Sequence, residues 1–143
     1  MQRIVVDANV FVSAILGGAG AARNVIRLAL QQKIEPLMGN ALFCEYEDVL
    51  GRGALVEGSS LSRRERETLF DAFLSVCVWT PVYYLWRPNL PDEGDNHLVE
   101  LALAGGADAV VTANKRDFTR GELNFPGLKI VTAAEFMKDW SSR

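Results

Sequence analysis

Carboxylates are the plentiful reactive groups of this 143-residue chain: eighteen Asp and Glu accompany one histidine, His97, and two cysteines, Cys44 and Cys77. Zinc clusters built on several histidines or four thiolates therefore lack ligands, and a histidine-based triad would rest on His97 alone. Two polar sites follow short apolar runs. Ile4-Val5-Val6 leads into Asp7, and Val110-Val111 into Thr112-Ala113-Asn114. In an open parallel sheet, ligands bind beyond the carboxyl ends of the strands near the point where strand order reverses, so function is expected at these two ends. Asp7 and Asn114 serve equally well as caps of the helices that follow. Glu45 and Glu47 both flank the apolar stripe Leu42, Phe43, Tyr46, Val49 and Leu50, with Asp48 turned to solvent, and spacing does not choose between them. In the cluster Asp92, Glu93, Asp95, a helix beginning near Glu93 puts Asp95 on one face with Leu98, Val99 and Ala102. A carboxylate on that face needs helix-end amides, a cation or a metal as partner, unless Asp92 is the cap and Asp95 a first-turn acid. His97 falls on a different side of that helix with no nameable partner, as a surface or half-buried residue. Gly17-Gly18-Ala19-Gly20 fits neither a P-loop nor a dinucleotide fingerprint and reads as a turn.

The elements that must position these residues alternate along the chain. Ile4–Val6 is a strand covered on both faces. Helices are expected over Val10–Leu16 and about Ala21–Gln32, with a second strand over Ile34–Met38. Asn40 is placed to cap a helix from Ala41 to about Leu50. Gly51–Ser60 reads as a surface connection. Ser62-x-x-Glu65 is a capping box opening a helix to about Val76. Val78–Trp86 should hold a third strand, interrupted by Pro81. A helix to about Ala104, a fourth strand over Ala109–Val111 and a fifth over Leu128–Val131 follow. Thr132-x-x-Glu135 is a second capping box, opening a helix that ends near Trp140. The order predicts one α/β domain over residues 1–143, three-layered, with a mostly parallel sheet of about five strands and helices on both faces.

Composition narrows the class further. A formal net charge of −3 and 49% hydrophobic residues describe an ordinary domain that buries roughly 70% of its unfolded surface without disulfides. Any nucleic-acid binding has to come from local basic patches. Cys44 and Cys77 read as apolar filling, and the opening Met1-Gln2-Arg3 leaves no apolar stretch of signal or membrane-span length before Asp7; together these point to a reducing, cytoplasmic setting and no membrane.

Taken in order, four pieces of the chain resemble the PIN-domain family of metal-dependent ribonucleases, most closely its small VapC-like toxins. They are Val5-Val6-Asp7-Ala8-Asn9-Val10, Glu45-Tyr46-Glu47-Asp48-Val49-Leu50, Gly94-Asp95-Asn96-His97-Leu98-Val99-Glu100-Leu101-Ala102, and Gly106-Ala107-Asp108-Ala109-Val110-Val111-Thr112-Ala113-Asn114 with Lys115-Arg116-Asp117-Phe118. None is specific alone; four in this order span almost the whole chain. The resemblance selects Glu45 over Glu47 and Asp95 over Asp92, and makes Asp7, Glu45 and Asp95 the metal-binding catalytic acids. Many relatives carry an aspartate where this chain has Asn114; others pair that Asn with an acid three residues on, here Asp117, the fourth acid. Asn9, Thr112 and Asn114 become supporting polar groups.

The resemblance implies Mg2+ or Mn2+ as cofactor, and the chemistry agrees. Two carboxylates about 5 Å apart repel by roughly 3 kcal/mol at an effective dielectric near 20, a cost that a divalent cation removes. All-oxygen ligands suit Mg2+ or Mn2+, which can activate water for in-line attack on a phosphodiester. The implied activity is RNA cleavage, with RNA contacts from Lys115, Arg116 and Arg120, and further from Arg23 or Arg27. The implied partners are a small antitoxin and a second copy of the chain in a homodimer, with Trp79–Trp86 and the helix beginning at Arg63 as the apolar surface. A PIN-like domain that binds RNA or a protein partner without turnover is the competing reading, kept open by Asn114. A phosphate-transfer enzyme with Asp7 as nucleophile is disfavoured, because the second aspartate of that pattern is replaced by Asn9.

Overall fold

Ile4, Val5 and Val6 are all buried, as a run without alternation requires of a strand with no polar side to present. In the computed structural model, which describes residues 1–17, 20–53, 57–82, 96–113 and 127–142, they belong to β1 (Arg3–Val6). The chain continues through α1 (Ala8–Leu16), α2 (Gly20–Leu30), β2 (Glu35–Met38), α3 (Asn40–Gly51), α4 (Arg63–Val76), β3 (Val78–Trp79), α5 (Asn96–Gly105), β4 (Ala109–Val111), β5 (Lys129–Val131) and α6 (Ala133–Ser141).

The five strands form one parallel sheet in the order β3-β2-β1-β4-β5. Ile4 pairs with Pro36 on one side and with Ala109 on the other, and Val6 with Val111. The chain moves from β1 toward β3 through α1 to α4, then crosses back to β4 and moves toward β5. Right-handed crossovers in opposite directions put the intervening helices on opposite faces, and α5 lies against β1, β2 and β4. The result is the expected three-layer α/β architecture, with the order reversing between β1 and β4. The core contains Phe11, Tyr46 and Phe73 on the α1–α3–α4 side and Leu98, Val99 and Leu101 from α5, all nearly fully buried. Burial of each such side chain contributes roughly 1.5–3 kcal/mol. Among the described residues no single helix is long and apolar enough to cross a membrane.

Local signals did their expected work at several element ends. Ser62 Oγ accepts from the Glu65 amide at 3.1 Å while Glu65 Oε1 accepts from the Ser62 amide at 2.9 Å, and Thr132 and Glu135 repeat the arrangement at 3.2 and 2.9 Å. Gly17 ends α1 with φ 75°, its amide donating back to Ala14, a left-handed position that suits glycine. One expectation needs correction. Gly39, not Asn40, is the residue before α3, and Asn40 is its first helical residue. The strand expected within Val78–Trp86 is present as Val78–Trp79, ahead of Pro81, which offers no amide to a neighbouring strand; 83–86 lie outside the described residues.

A candidate active site at the strand ends

Asp7 follows the last residue of β1 and Thr112 the last residue of β4, the two strands between which the order reverses. The sheet hydrogen bonds continue past them: the Asp7 amide donates to Val111 O at 2.9 Å, and the Thr112 amide to Val131 O at 2.9 Å. This backbone pairing sets the two side chains next to each other. Thr112 Oγ1 donates to Asp7 Oδ2 at 2.8 Å. Asp7 occupies the position before α1, and its carboxylate is tied to β4 through Thr112. Asn9 adds a second tie, its Oδ1 accepting from the Ala113 amide at 3.3 Å.

Helix α3 brings the next acid. Its buried Tyr46 donates from its hydroxyl to Val6 O at 2.7 Å, which pins this turn of α3 to the end of β1. Tyr46 also stacks on Phe70 and Phe73 and meets Phe11 edge-on. Glu45, one residue earlier, is turned by this anchoring toward the strand ends. Glu47 is exposed and lines a separate groove with Arg63, Arg66 and Phe70. Of the two flanking glutamates, Glu45 is the one beside Asp7.

Asp7 is only 3% exposed, and its pKa is raised above the ordinary carboxylate value. Burial is the main cause and the nearby Glu45 charge adds to it; the Thr112 hydroxyl, the Asn9 backbone and His97 act in the opposite direction. Two carboxylates brought together and partly desolvated form an oxygen donor set that favours a hard divalent cation.

His97 supplies a contact that sequence reasoning did not find. Its Nε2 lies 2.6 Å from Glu45 Oε2, joining α5 to α3 across 52 residues. An ionised carboxylate offers only acceptors, so the ring nitrogen facing it is the protonated one. The missed signal is modest: His97 is two residues from Asp95, and α5 is buried on most of its circumference, including Leu98, Val99, Glu100, Leu101 and Ala102. A polar side chain at the start of such a helix has few directions left but toward the strand ends.

Asp95, Asn114, Lys115, Arg116, Asp117 and Arg120 lie outside the described residues. Among the described residues no three His, Cys, Asp or Glu side chains converge as a metal cluster. Arg23 donates to Ala14 O at 3.4 Å, two turns along α1 from Asp7, and Arg27 donates to Asn24 Oδ1 at 3.3 Å; both line a groove with Leu30, Leu61 and Leu69, not with the strand-end residues.

Residues 3–116 match a family model described as PIN domain. No curated protein matches the sequence. Among solved structures, the fold is similar to that of VapBC2 from Rickettsia felis bound to a DNA fragment from their promoter, with a TM-score of 0.60 and 17% sequence identity over 90% of this chain and 97% of that chain.

Proposed function

The chain belongs to the PIN-domain family, and on that premise we propose that it is a metal-dependent endoribonuclease acting as the toxin of a toxin–antitoxin pair. The observation that carries this reading is the buried Asp7, held by Thr112 at the adjacent ends of β1 and β4 with Glu45 nearby. Asp7 and Glu45, together with Asp95 and Asp117, are the residues that would hold Mg2+ or Mn2+. When bound, such an ion polarises a phosphodiester oxygen and lowers the pKa of a water.

The protein's own groups have distinct tasks in this reading. Thr112 occupies one lone pair of Asp7 Oδ2 and fixes the carboxylate plane. His97 does the same for Glu45 from the opposite side, the outer-shell support that metal-binding side chains commonly receive. Asn9 ties the two strand ends together, with Asn114 completing the polar set. Lys115, Arg116 and Arg120 are proposed to neutralise RNA phosphates, which fixes position without selecting sequence.

The likeness in fold to VapBC2 supports an antitoxin as partner; the assembled state is proposed to be a homodimer. The groove of about 470 Å3 between α3 and α4, lined by Leu50, Arg63, Arg66 and Phe70, supports the helix at Arg63 as part of that surface. A cytoplasmic setting is part of this proposal. A second reading, RNA or partner binding without turnover, rests on Asn114, which stands where many relatives have an acid.

Incubation of purified protein with a structured RNA in Mn2+, Mg2+ or EDTA separates these readings. Cleavage is expected with either metal only, and is lost in Asp7→Asn and Glu45→Gln. Cleavage that survives EDTA overturns the metal mechanism, and RNA retention without turnover selects the second reading.

A further inference from the structure

Beside the acid pair, over the carboxyl ends of β2 and β3, lies a cleft of about 370 Å3 lined by Gly39, Trp79, Thr80, His97, Glu100 and Leu101 among others. Its size falls within the range of small-ligand sites. Glu100 is 7% exposed, and its Oε1 is buried with no hydrogen-bond partner among the described residues. One turn earlier on the same wall, His97 Nδ1 is likewise buried and without a partner, since the other ring nitrogen faces Glu45. A buried polar atom left unpaired costs about 1–3 kcal/mol, and Glu100, which lines the cleft, carries one that a ligand with hydrogen-bond donors can supply.

The identity of the missing groups follows from the acceptors. A carboxylate only accepts. The ligand must therefore present adjacent donors. On their Watson–Crick edges, adenine, cytosine and uracil each mix donors with acceptors next to a single N–H or amino group. Guanine alone presents N1–H and the N2 amino group side by side, the pair that a carboxylate takes in bidentate fashion. The cleft also offers a stacking surface. Trp79 packs one side against Phe43, with ring centroids 5.6 Å apart, and remains 49% exposed, a braced aromatic of the kind on which unpaired RNA bases stack. Gly39 keeps the floor open, because a Cβ there would come within 3.2 Å of Leu101 Cδ1 and 3.4 Å of the Thr80 carbonyl.

We propose that this cleft is a nucleobase subsite selective for guanine, with Glu100 accepting from N1–H and N2–H and Trp79 stacking on the base. His97 forms both a wall of the cleft and the support of Glu45, so a guanine nucleotide seated here has its backbone next to the acid pair. The choice of an RNA base as ligand rests on the ribonuclease reading above.

The test uses nucleosides, which have no phosphate and bind independently of metal. Chemical-shift titration of the 15N-labelled full chain in EDTA is followed at the Trp79 indole N–H and the His97 amide, with guanosine, inosine, adenosine and cytidine. Guanosine is expected to bind at least fivefold more tightly than inosine, which lacks the N2 amino group, and the preference is expected to vanish in Glu100→Gln. Trp79→Leu, a change at a half-exposed position, should weaken all four nucleosides alike, and serves if Glu100→Gln fails to fold. Equal binding of guanosine and adenosine, or a guanosine preference that persists in Glu100→Gln, overturns the proposal. So does saturation of the same signals by an arginine-containing peptide but not by guanosine, which would assign the carboxylate to a protein partner. Guanosine selectivity without RNA cleavage leaves the subsite standing and removes the nuclease reading; cleavage without selectivity does the reverse.

Discussion

Thr112 Oγ1 and Asp7 Oδ2 meet at 2.8 Å across 105 residues of sequence, each at the first position beyond its strand. The contact is a product of register: Val6 pairs with Val111, so the residues that follow emerge side by side. Replacing Thr112 by Val keeps the shape and removes the donor. The Thr112 hydroxyl lowers the Asp7 pKa, so its loss should raise that pKa further. A loss of about 1–2 kcal/mol of stability in urea unfolding is expected, with RNA cleavage shifted to higher pH.

Asp7 itself should be a liability to the metal-free protein. Its folded pKa is raised, chiefly by burial, so in the folded state it holds its proton to higher pH than in the unfolded chain. Stability then falls as pH rises from the ordinary carboxylate range through the folded pKa, and the cost is fully present only above it. Asp7→Asn removes the charge while leaving an oxygen for Thr112. In EDTA the variant should melt at higher temperature than the parent near pH 7, and the difference should close as pH falls to about 4, the ordinary carboxylate range. With Mn2+ at roughly 100 times its dissociation constant the parent should gain about 2.7 kcal/mol and the variant nothing.

His97 is expected to act through Glu45. His97→Ala should weaken Mn2+ binding by roughly 10-fold, the lower end of outer-shell effects at metal sites, whereas His97→Gln, which keeps an N–H donor, should recover part of the loss. Mn2+ titration followed by the EPR signal of free ion measures both.

Tyr46 anchors the turn of α3 that carries Glu45. Tyr46→Phe keeps the stacking with Phe70 and Phe73 but removes the 2.7 Å bond to Val6 O. A stability loss of about 1 kcal/mol is expected in denaturant unfolding, accompanied by a lower kcat as Glu45 loses its fixed approach to the strand ends.

The two cysteines should differ in reactivity. Cys44 is exposed, while burial pushes the Cys77 thiol up to about 12, leaving almost no thiolate at pH 8. Titration of native protein with a disulfide reagent should give one fast thiol, and Cys44→Ser should abolish it.

Much of this arrangement was legible in the sequence because it rests on local rules. The unalternating Ile4-Val5-Val6 marked a central strand, and Ser62-Glu65 and Thr132-Glu135 marked two helix starts. What spacing does not contain is the meeting of distant elements. Glu45 and Glu47 are equivalent on a helical wheel, and only the docking of Tyr46 on Val6 distinguishes them. The partnership of His97 with Glu45 and the burial of Glu100 depend on how α5 lies across β1, β2 and β4, a tertiary fact. The strand expected within Val78–Trp86 is found at Val78–Trp79, ahead of Pro81, which cannot join a ladder.

The central claim is that Asp7 and Glu45 hold a divalent cation. An anomalous difference map from crystals soaked in Mn2+ tests it most directly. A peak about 2.1 Å from an Asp7 carboxylate oxygen, shared with Glu45 directly or through water and absent in Asp7→Asn crystals, is the predicted result. A fully soaked crystal with no peak at the ends of β1 and β4, or one unaffected by Asp7→Asn, would contradict it.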